Sequence, residues 1–408
     1  MVLTFNEVPT KQKRVLVRVD FNSPIEPEVG AILDDKRFRE HLQTIQALES
    51  AVCIILTHQS RPGKMDFTSL ELHAAKLEYL LKRPVMFIDD IIGSTAYNAV
   101  SNAQPGTVIM LENLRFNAEE NLTLSGENSA QTYFIKKLAG LGDIYINDAF
   151  GTAHRSQPSI VGLPELLPSA CGLLMEREIL HLSRIFTDAP RPITFVLGGT
   201  KVDDSLSVAE NVLQNGIADN VLCTGVVANL FFIAQGYDIG APSRDLIKKL
   251  GYESEIAHAA QIYAAYADKI LIPTHVAVQE NGVRTEYSVK DIPPNCPIFD
   301  IGTEALPACI TLFRNSGTIV LNGPAGLFEH SDYALGTNEI IKNASNVSFS
   351  VIGGGHTAAV AERLGLAGSF SHISTGGGAC IEFLTGVQLP ALVALEKSAK
   401  KFKHRLNN

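Results

Sequence analysis

The sequence predicts an α/β protein built from two doubly wound parallel-sheet domains joined by a hinge helix, and three observations predict it. Short apolar runs alternate along the chain with longer segments of helical character, the pattern of a parallel sheet covered on both faces. A length of 408 residues exceeds what one hydrophobic core ordinarily serves, so two domains are expected. Near the middle, Asp188-Ala189-Pro190-Arg191-Pro192 punctuates the alternation just after a helix-like segment. We therefore divide the chain into a domain at 1–170, a connecting helix at 171–189, a second domain at 190–386 and a tail at 387–408.

In the first domain, strands are expected at Arg14–Asp20, Ala51–His58, Val85–Asp89, Thr107–Leu111 and Ile144–Asn147. Helices are expected near Arg37–Ser50, Thr68–Leu81 and Asn128–Gly142. Ligands of such sheets bind beyond the C-terminal ends of the strands. The first strand ends in Asp20-Phe21-Asn22 and the second in His58-Gln59-Ser60-Arg61. The fourth runs into Glu112-Asn113-Leu114-Arg115, and the fifth into Asn147-Asp148 with His154-Arg155 beyond. Arg37 opens the first helix. The planar fork of arginine suits bidentate binding of phosphate and carboxylate, so this rim reads as a site for a small, multiply anionic molecule. Single residues have plainer readings: a loop-edge arginine as solvated charge, Asp20 and Asp148 as helix caps or arginine orienters, His58 as a core histidine. Their recurrence at consecutive strand ends favours the site.

The connector is read over Cys171–Phe186, with apolar Leu173, Leu174, Ile179, Leu180 and Leu182 at helical spacing. Strands resume at Ile193–Leu197, Val221–Cys223, Ile270–Ile272, Thr318–Leu321, Phe349–Ile352 and Phe370–Ser374. The first of these ends in Gly198-Gly199-Thr200-Lys201, with Asp203-Asp204-Ser205 opening a helix. Lys201 is placed like the lysines that hold nucleotide phosphates, although a surface lysine fits the same position. Neither a Walker spacing nor a GxGxxG with a downstream acid is present. Asn322-Gly323-Pro324 with Glu329 forms another strand-end loop, where Glu329 either bonds a ribose hydroxyl or caps a helix. Gly353-Gly354-Gly355, followed by Thr357, and Gly376-Gly377-Gly378, preceded by Ser374-Thr375, each read as strand, glycine turn and helix. Such turns admit close approach of a ligand to backbone N–H groups at a helix start. One alone is an ordinary connection; the pair points to a polyphosphate held between them.

Bulk properties narrow the partners. Hydrophobic content of 46%, charged content of 19% and a formal charge of −9 describe a globular protein. Residues 1–170 carry sixteen Lys+Arg against twenty Asp+Glu, a balance of −4, so broad nucleic-acid binding is not expected. Six cysteines lie scattered in apolar runs with no CxxC pair or zinc spacing, as reduced core cysteines do. With no secretory leader pattern and no long apolar stretch, a cytoplasmic protein without a membrane partner is expected. The tail from Glu396 carries five Lys+Arg and one Glu and reads as a solvated helix packed back on the acidic body.

In order and spacing, RVDFNSP, the helix-opening Arg37, HQSRPG, ENLRF, NDAFGTAHR, LGGTKV, NGPAGLFE, GGGHTAA and HISTGGGACIEFLTG resemble the phosphoglycerate kinase family across nearly the whole chain. The resemblance implies a two-lobe enzyme, monomeric or homodimeric, that transfers a phosphoryl group reversibly between ATP and 3-phosphoglycerate. Its products are ADP and 1,3-bisphosphoglycerate, its cofactors ATP/ADP with Mg2+, its place glycolysis and gluconeogenesis. It implies that Asp20, Asn22, Arg37, His58, Gln59, Ser60, Arg61, Arg115 and Arg155 hold phosphoglycerate in the first domain. Gly199, Lys201, Gly225, Asn322, Glu329, Gly353, Gly354, Gly355, His356 and Thr357 would hold the nucleotide in the second. Arg37, Lys201, Gly354 and Gly377 would act on the moving phosphoryl group. HQSRPG, KVDDS and GGGH resemble the archaeal branch. The pattern best known in bacteria and eukaryotes has lysine where Ser205 stands, a magnesium-assisting aspartate where His356 stands, and a glycine run where Thr224-Gly225-Val226 stands. The metal ligands therefore stay open, with Asp203 or Asp204 as candidates.

The chemistry agrees. An acceptor carboxylate, with a reference pKa of about 4, is already ionised at neutral pH and needs no catalytic base. The enzyme must instead align two polyanions and neutralise charge on the group in flight. A nicotinamide-dependent dehydrogenase would also pair two α/β domains but demands the missing dinucleotide fingerprint. A non-catalytic binding protein would keep the anion sites, yet retention of Arg37 and Lys201 argues against it.

Overall fold

The chain is described from a computed structural model, which covers residues 2–26 and 30–406, with side chains as far as 403. It divides into two compact units, 1–180 together with 388–408, and 181–387.

The first unit is a six-stranded parallel sheet. Its strands are β1 (Arg14–Arg18), β2 (Val52–Leu56), β3 (Val85–Ile88), β4 (Val108–Leu111), β5 (Ile144–Asn147) and β6 (Ser169–Cys171), in spatial order β3-β4-β2-β1-β5-β6. The central strands are apolar on both faces because both are covered. Val15, Val17, Cys53, Ile55, Met110 and Ile146 pack on one side, and Leu16, Ile54, Ile109, Leu111 and Tyr145 on the other. Full burial of such side chains contributes about 1.5–3 kcal/mol each. Strand order reverses between the neighbours β1 and β5, and the loops after β1, β2, β4 and β5 open on one edge, as doubly wound sheets require of a ligand site.

The second unit carries a matching parallel sheet. After β7 (Ile193–Leu197), β8 (Asn220–Cys223) and β9 (Ile270–Leu271), the chain forms a separate antiparallel sheet from β10 (His275–Glu280), β11 (Val283–Ser288) and β12 (Ile298–Ile301). It then returns through β13 (Thr318–Asn322), β14 (Phe349–Ile352) and β15 (His372–Ile373). The parallel sheet has the order β15-β14-β13-β7-β8-β9, and the antiparallel one β11-β10-β12.

Four features depart from the sequence expectation. The helix read over Asn128–Gly142 is two helices, Gly126–Gln131 and Tyr133–Ala139, because extended Thr132 breaks the first and its Oγ1 caps the second by accepting from Ile135 N at 3.2 Å. The connector assigned from Cys171 starts on the last residue of β6 (Ser169–Cys171), a strand paired to β5, and its helix begins at Leu173 after Gly172. The strand read over Phe370–Ser374 is only His372–Ile373. The antiparallel sheet was not expected at all; its hairpin turns on Asn281-Gly282, both at positive φ (50° and 82°), the geometry an Asn-Gly turn supplies.

The helix Leu173–Thr187 begins in the first unit and ends in the second. The tail helix Pro390–Leu406 lies on the first unit. Buried Ala391, Leu395 and Phe402 anchor it, while Lys397 to Glu127 (2.9 Å) and Lys401 to Glu165 (3.4 Å) are surface pairs worth at most about 1 kcal/mol each. Among the described residues, no helix is long and apolar enough to cross a membrane.

Candidate active site

The strand-end loops of the first unit bring the expected arginines together. Arg37, in the first turn of the helix Lys36–Gln46, is paired with the buried carboxylate of Asp20. Asn22 Oδ1 accepts from Ser60 N at 2.8 Å, which ties the loop after β1 to the loop after β2. Arg115 donates to the carbonyl of Ser60, Arg61 is exposed and Arg155 is half-buried.

Gln59 departs from the expectation that it meets a ligand. It is fully buried, with its carboxamide bound both ways to the Ser23 backbone (3.1 and 3.0 Å) and to His73 Nε2 (3.1 Å), so it holds the loop. Asp148 is also scaffold: it bonds His41 Nδ1 at 2.8 Å and accepts from Leu174 N at 2.9 Å, capping the helix Leu173–Thr187. Of the two readings open for each aspartate, Asp20 orients an arginine and Asp148 caps.

A residue that sequence reasoning passed over stands behind the rim. Arg18, 1% exposed, donates through its guanidinium to His58 Nδ1 at 3.0 Å and to Ser159 Oγ at 3.1 Å. Ser159 Oγ in turn donates to Glu120 at 2.6 Å. Inside RVLVRVD, Arg18 looks like one more strand residue; its alternation onto the same face as the rim was the available signal. A guanidinium has no acceptor, so Nδ1 of His58 must accept and its proton sits on Nε2. Burial, then Arg18, Arg115, Arg155 and Arg37, push the His58 pKa well below 6.5. His58 is thus a neutral donor among cations. Burial and the neighbouring arginines also push Arg115 down to about 10 and lower Arg155. Desolvated like charges of this kind are relieved by a bound polyanion.

The second unit builds its cavity from backbone. The loops after β7, β8 and β13 interlock: Gly198 N donates to Asn322 O (2.8 Å), Gly199 N to Pro324 O (2.8 Å) and Gly225 N to Ala325 O (3.1 Å). At Gly323 (φ 91°) a Cβ would stand 2.1 Å from Gly198 O, and at Gly225 (φ 57°) 2.8 Å from Gly199 N. Only glycine permits this closeness. Two contiguous cavities of about 220 Å³ each result. One is lined by Gly199, Lys201, Asn322, Gly354, Gly355, His356, Thr357 and Gly377, glycine backbone with a few polar side chains. The other is mainly apolar and shares Gly199, Thr200, Pro324 and His356, with Glu329 at its mouth. Lys201 caps the helix Val202–Gln214 and is exposed, Gly225 precedes Val226 at the start of the helix Gly225–Ala234, and Gly354 caps Gly355–Arg363. Around Gly355 and Gly377 there is open space. The buried hydroxyls of Thr224 and Thr357 have no partner. Gly353 is not in either lining: it is buried, with Cys380 Sγ 3.2 Å from where its Cβ would be, and it supports the turn from behind.

No group of three His, Cys, Asp or Glu able to hold a metal occurs among the described residues. Asp203 receives the hydroxyl of Tyr252, while burial and Asp203 raise the pKa of the half-buried Asp204. All six cysteines are buried and none is in a disulfide.

An arginine-rich rim on one doubly wound unit, and on the other two glycine-built cavities that share a wall, one of them faced by Lys201 and Thr357, fit the class of small-molecule kinases. The comparisons agree on which. The sequence model of the phosphoglycerate kinase family matches residues 5–387. Curated relatives include the phosphoglycerate kinases of Methanocorpusculum labreanum, 58% identical over 98% of both chains, and Methanosarcina mazei, 48% identical over 98% of this chain and 96% of that one. Among solved structures, phosphoglycerate kinase from Pyrococcus horikoshii matches with a TM-score of 0.90 and 40% identity, covering 98% of this chain and all of that one. The chain belongs to the phosphoglycerate kinase family and is of the archaeal type. Its reaction is reversible phosphoryl transfer between ATP and the carboxylate of 3-phosphoglycerate, a step of glycolysis.

Proposed function

We propose that the rim of the first unit holds 3-phosphoglycerate and the paired cavities of the second hold ATP, so that each unit carries one substrate. Support for the first assignment is the crowd of desolvated arginines around a neutral His58. Arg61, Arg115 and Arg155 meet the phosphate and carboxylate, His58 Nε2–H donates without adding charge, and Asp20 aims Arg37 at the carboxylate about to receive the phosphoryl group. Support for the second is the orphaned hydroxyl of Thr357 beside open glycine backbone and Lys201. Thr357, Lys201 and the N–H groups at Gly354, Gly355 and Gly377 take the phosphates; the apolar recess takes the base and Glu329 the ribose.

Mg2+ fits this arrangement. It binds chiefly through substrate phosphates, waters and one or two carboxylates, so it needs no protein cage, and Asp204 is the acidic group beside Lys201 that would complete its shell. When bound, the ion neutralises phosphate charge. Arg37 and Lys201 supply the rest of the positive charge that the loose phosphoryl group requires, and no residue has to remove a proton. The buried thiols fit a cytoplasmic enzyme; it acts as a monomer or homodimer.

The test is to incubate protein, ATP, Mg2+ and hydroxylamine with 3-phosphoglycerate or, as control, glycerate. Hydroxamate from the acyl phosphate is expected with phosphoglycerate alone. Binding of both ligands without product would sink the catalytic reading and leave two binding sites on a kinase scaffold.

A further inference from the structure

The apolar recess contains one side chain whose chemistry its surroundings do not explain. Asn229 lies in the second turn of the helix Gly225–Ala234, sequence GVVANLFFIA, where nearly every other residue is apolar. It is 3% exposed and lines the recess with Phe232, Leu246 and Val276. Its Oδ1 is buried with no hydrogen-bond partner. The other buried polar group of the recess, Asp300, is fully committed: Oδ1 accepts from Ile301 N (2.9 Å), and Oδ2 from Gly336 N (2.9 Å) and Arg284 (3.0 Å). A buried amide left unpaired costs stability that leucine at the same place would not. Such a group is expected where a ligand supplies the partner.

We infer that the carboxamide of Asn229 reads the base of the nucleotide and sets a preference for 6-amino over 6-oxo purines. This rests on the reading that the two cavities hold ATP. With phosphates at Lys201 and Thr357, the shared wall of Gly199, Pro324 and His356 directs the base into the recess. A carboxamide presents one donor beside one acceptor. Adenine shows that complementary pair on either side of its amino group, N6–H with N7 or with N1. A 6-oxo purine offers two acceptors, O6 and N7, on one of those sides, and so matches asparagine in fewer poses.

The experiment is calorimetric binding of ADP, IDP and tripolyphosphate to the full chain and to Asn229→Leu and Asn229→Ala. Leucine repeats the heavy-atom shape of asparagine, so a folding defect in the alanine variant leaves the leucine variant to decide. The expected result is about tenfold tighter binding of ADP than IDP to the native chain, falling to near parity in Asn229→Leu, with tripolyphosphate affinity unchanged. An ADP preference that survives in the variants overturns the assignment. Equal binding of ADP and IDP by the native chain also overturns it while leaving the nucleotide site intact. Failure of the native chain to bind either ADP or tripolyphosphate overturns the nucleotide site and this inference with it.

Discussion

The two sites proposed for the substrates are made of opposite materials. In the first unit, charge is carried by side chains: arginines from several strand-end loops, held by buried polar contacts such as Arg18 to His58 and Gln59 to Ser23. In the second, polarity is carried by the main chain, through glycines whose Cβ atoms would meet backbone only 2.1 to 2.8 Å away. A side-chain site can be dismantled one charge at a time. A backbone site resists that and is damaged by added atoms, which shifts the sensitive positions from arginines to glycines.

The sharpest way to break this contrast is to remove, in each unit, the charge proposed to act on the moving phosphoryl group. Arg37 is half-exposed, and the Asp20 carboxylate it pairs with also accepts from Asn22 N at 3.3 Å, so Arg37→Ala should still fold. Its kcat is expected to fall by about 100-fold or more, and far more than the KM for phosphoglycerate rises, because its charge matters most when the phosphoryl group is in flight. Lys201→Ala, which removes one of the few side-chain charges in a backbone site, should cost about 2–4 kcal/mol of transition-state stabilisation. Steady-state kinetics in both substrates check this. A change confined to KM would make Arg37 a binding residue only, and an unchanged rate would remove Lys201 from the mechanism.

The contrast in materials also explains what could be read in the sequence. Strand-end motifs such as HQSRPG and LGGTKV were legible because parallel sheets put their ligands at one end, so a chemical residue just past an apolar run carries positional information. Arg18 and Asn229 were not, since each sits within an apolar element: Arg18 is set apart only by partners on distant elements, and Asn229 only by a buried oxygen without a partner. Gln59 failed in the other direction: adjacent to rim residues in sequence, it is buried with its carboxamide bound to Ser23 and His73. The hairpin at Asn281-Gly282 had a signal in its alternating flanks that the dominant strand-helix rhythm obscured. β6 is three residues long and Pro168 and Gly172 bound it, too little for a period to register.

Acid should separate the two units. In the first, His73 is pushed by burial from 6.5 down to about 4, and His58 is depressed as well. The unfolded chain binds these protons more readily, so stability is full above pH 6.5 and is lost as pH falls toward 4, by about 3 kcal/mol for His73 alone. In the second, burial pushes Asp300 from 3.8 up to about 6. Here the folded state binds the proton more readily, so this contribution is full below pH 3.8 and is lost as pH rises through 6, again about 3 kcal/mol. Hydrogen exchange at pH 7 and pH 5, corrected for intrinsic rates, should show protection falling around β2 and the helix Glu71–Leu81 while it holds or rises around β12. Parallel loss in both units would mean that these groups do not govern their surroundings.

The smallest expected effect tests the backbone site from within. Thr357 Oγ1 is buried beside Gly354 and has no partner, so in the unliganded protein its hydroxyl is a net cost. Thr357→Val keeps the branched shape and removes the unsatisfied group. The variant should therefore be more stable by about 1 kcal/mol without ligand, and should bind ADP about tenfold more weakly because a phosphate oxygen loses a donor. Denaturant unfolding with and without ADP measures both terms on one sample. Opposite signs for the two would locate the hydroxyl in the ligand site. A variant less stable than the native chain and equally tight for ADP would show that the hydroxyl serves the fold, and the second unit would then hold its phosphates through main chain and Lys201 without help from this residue.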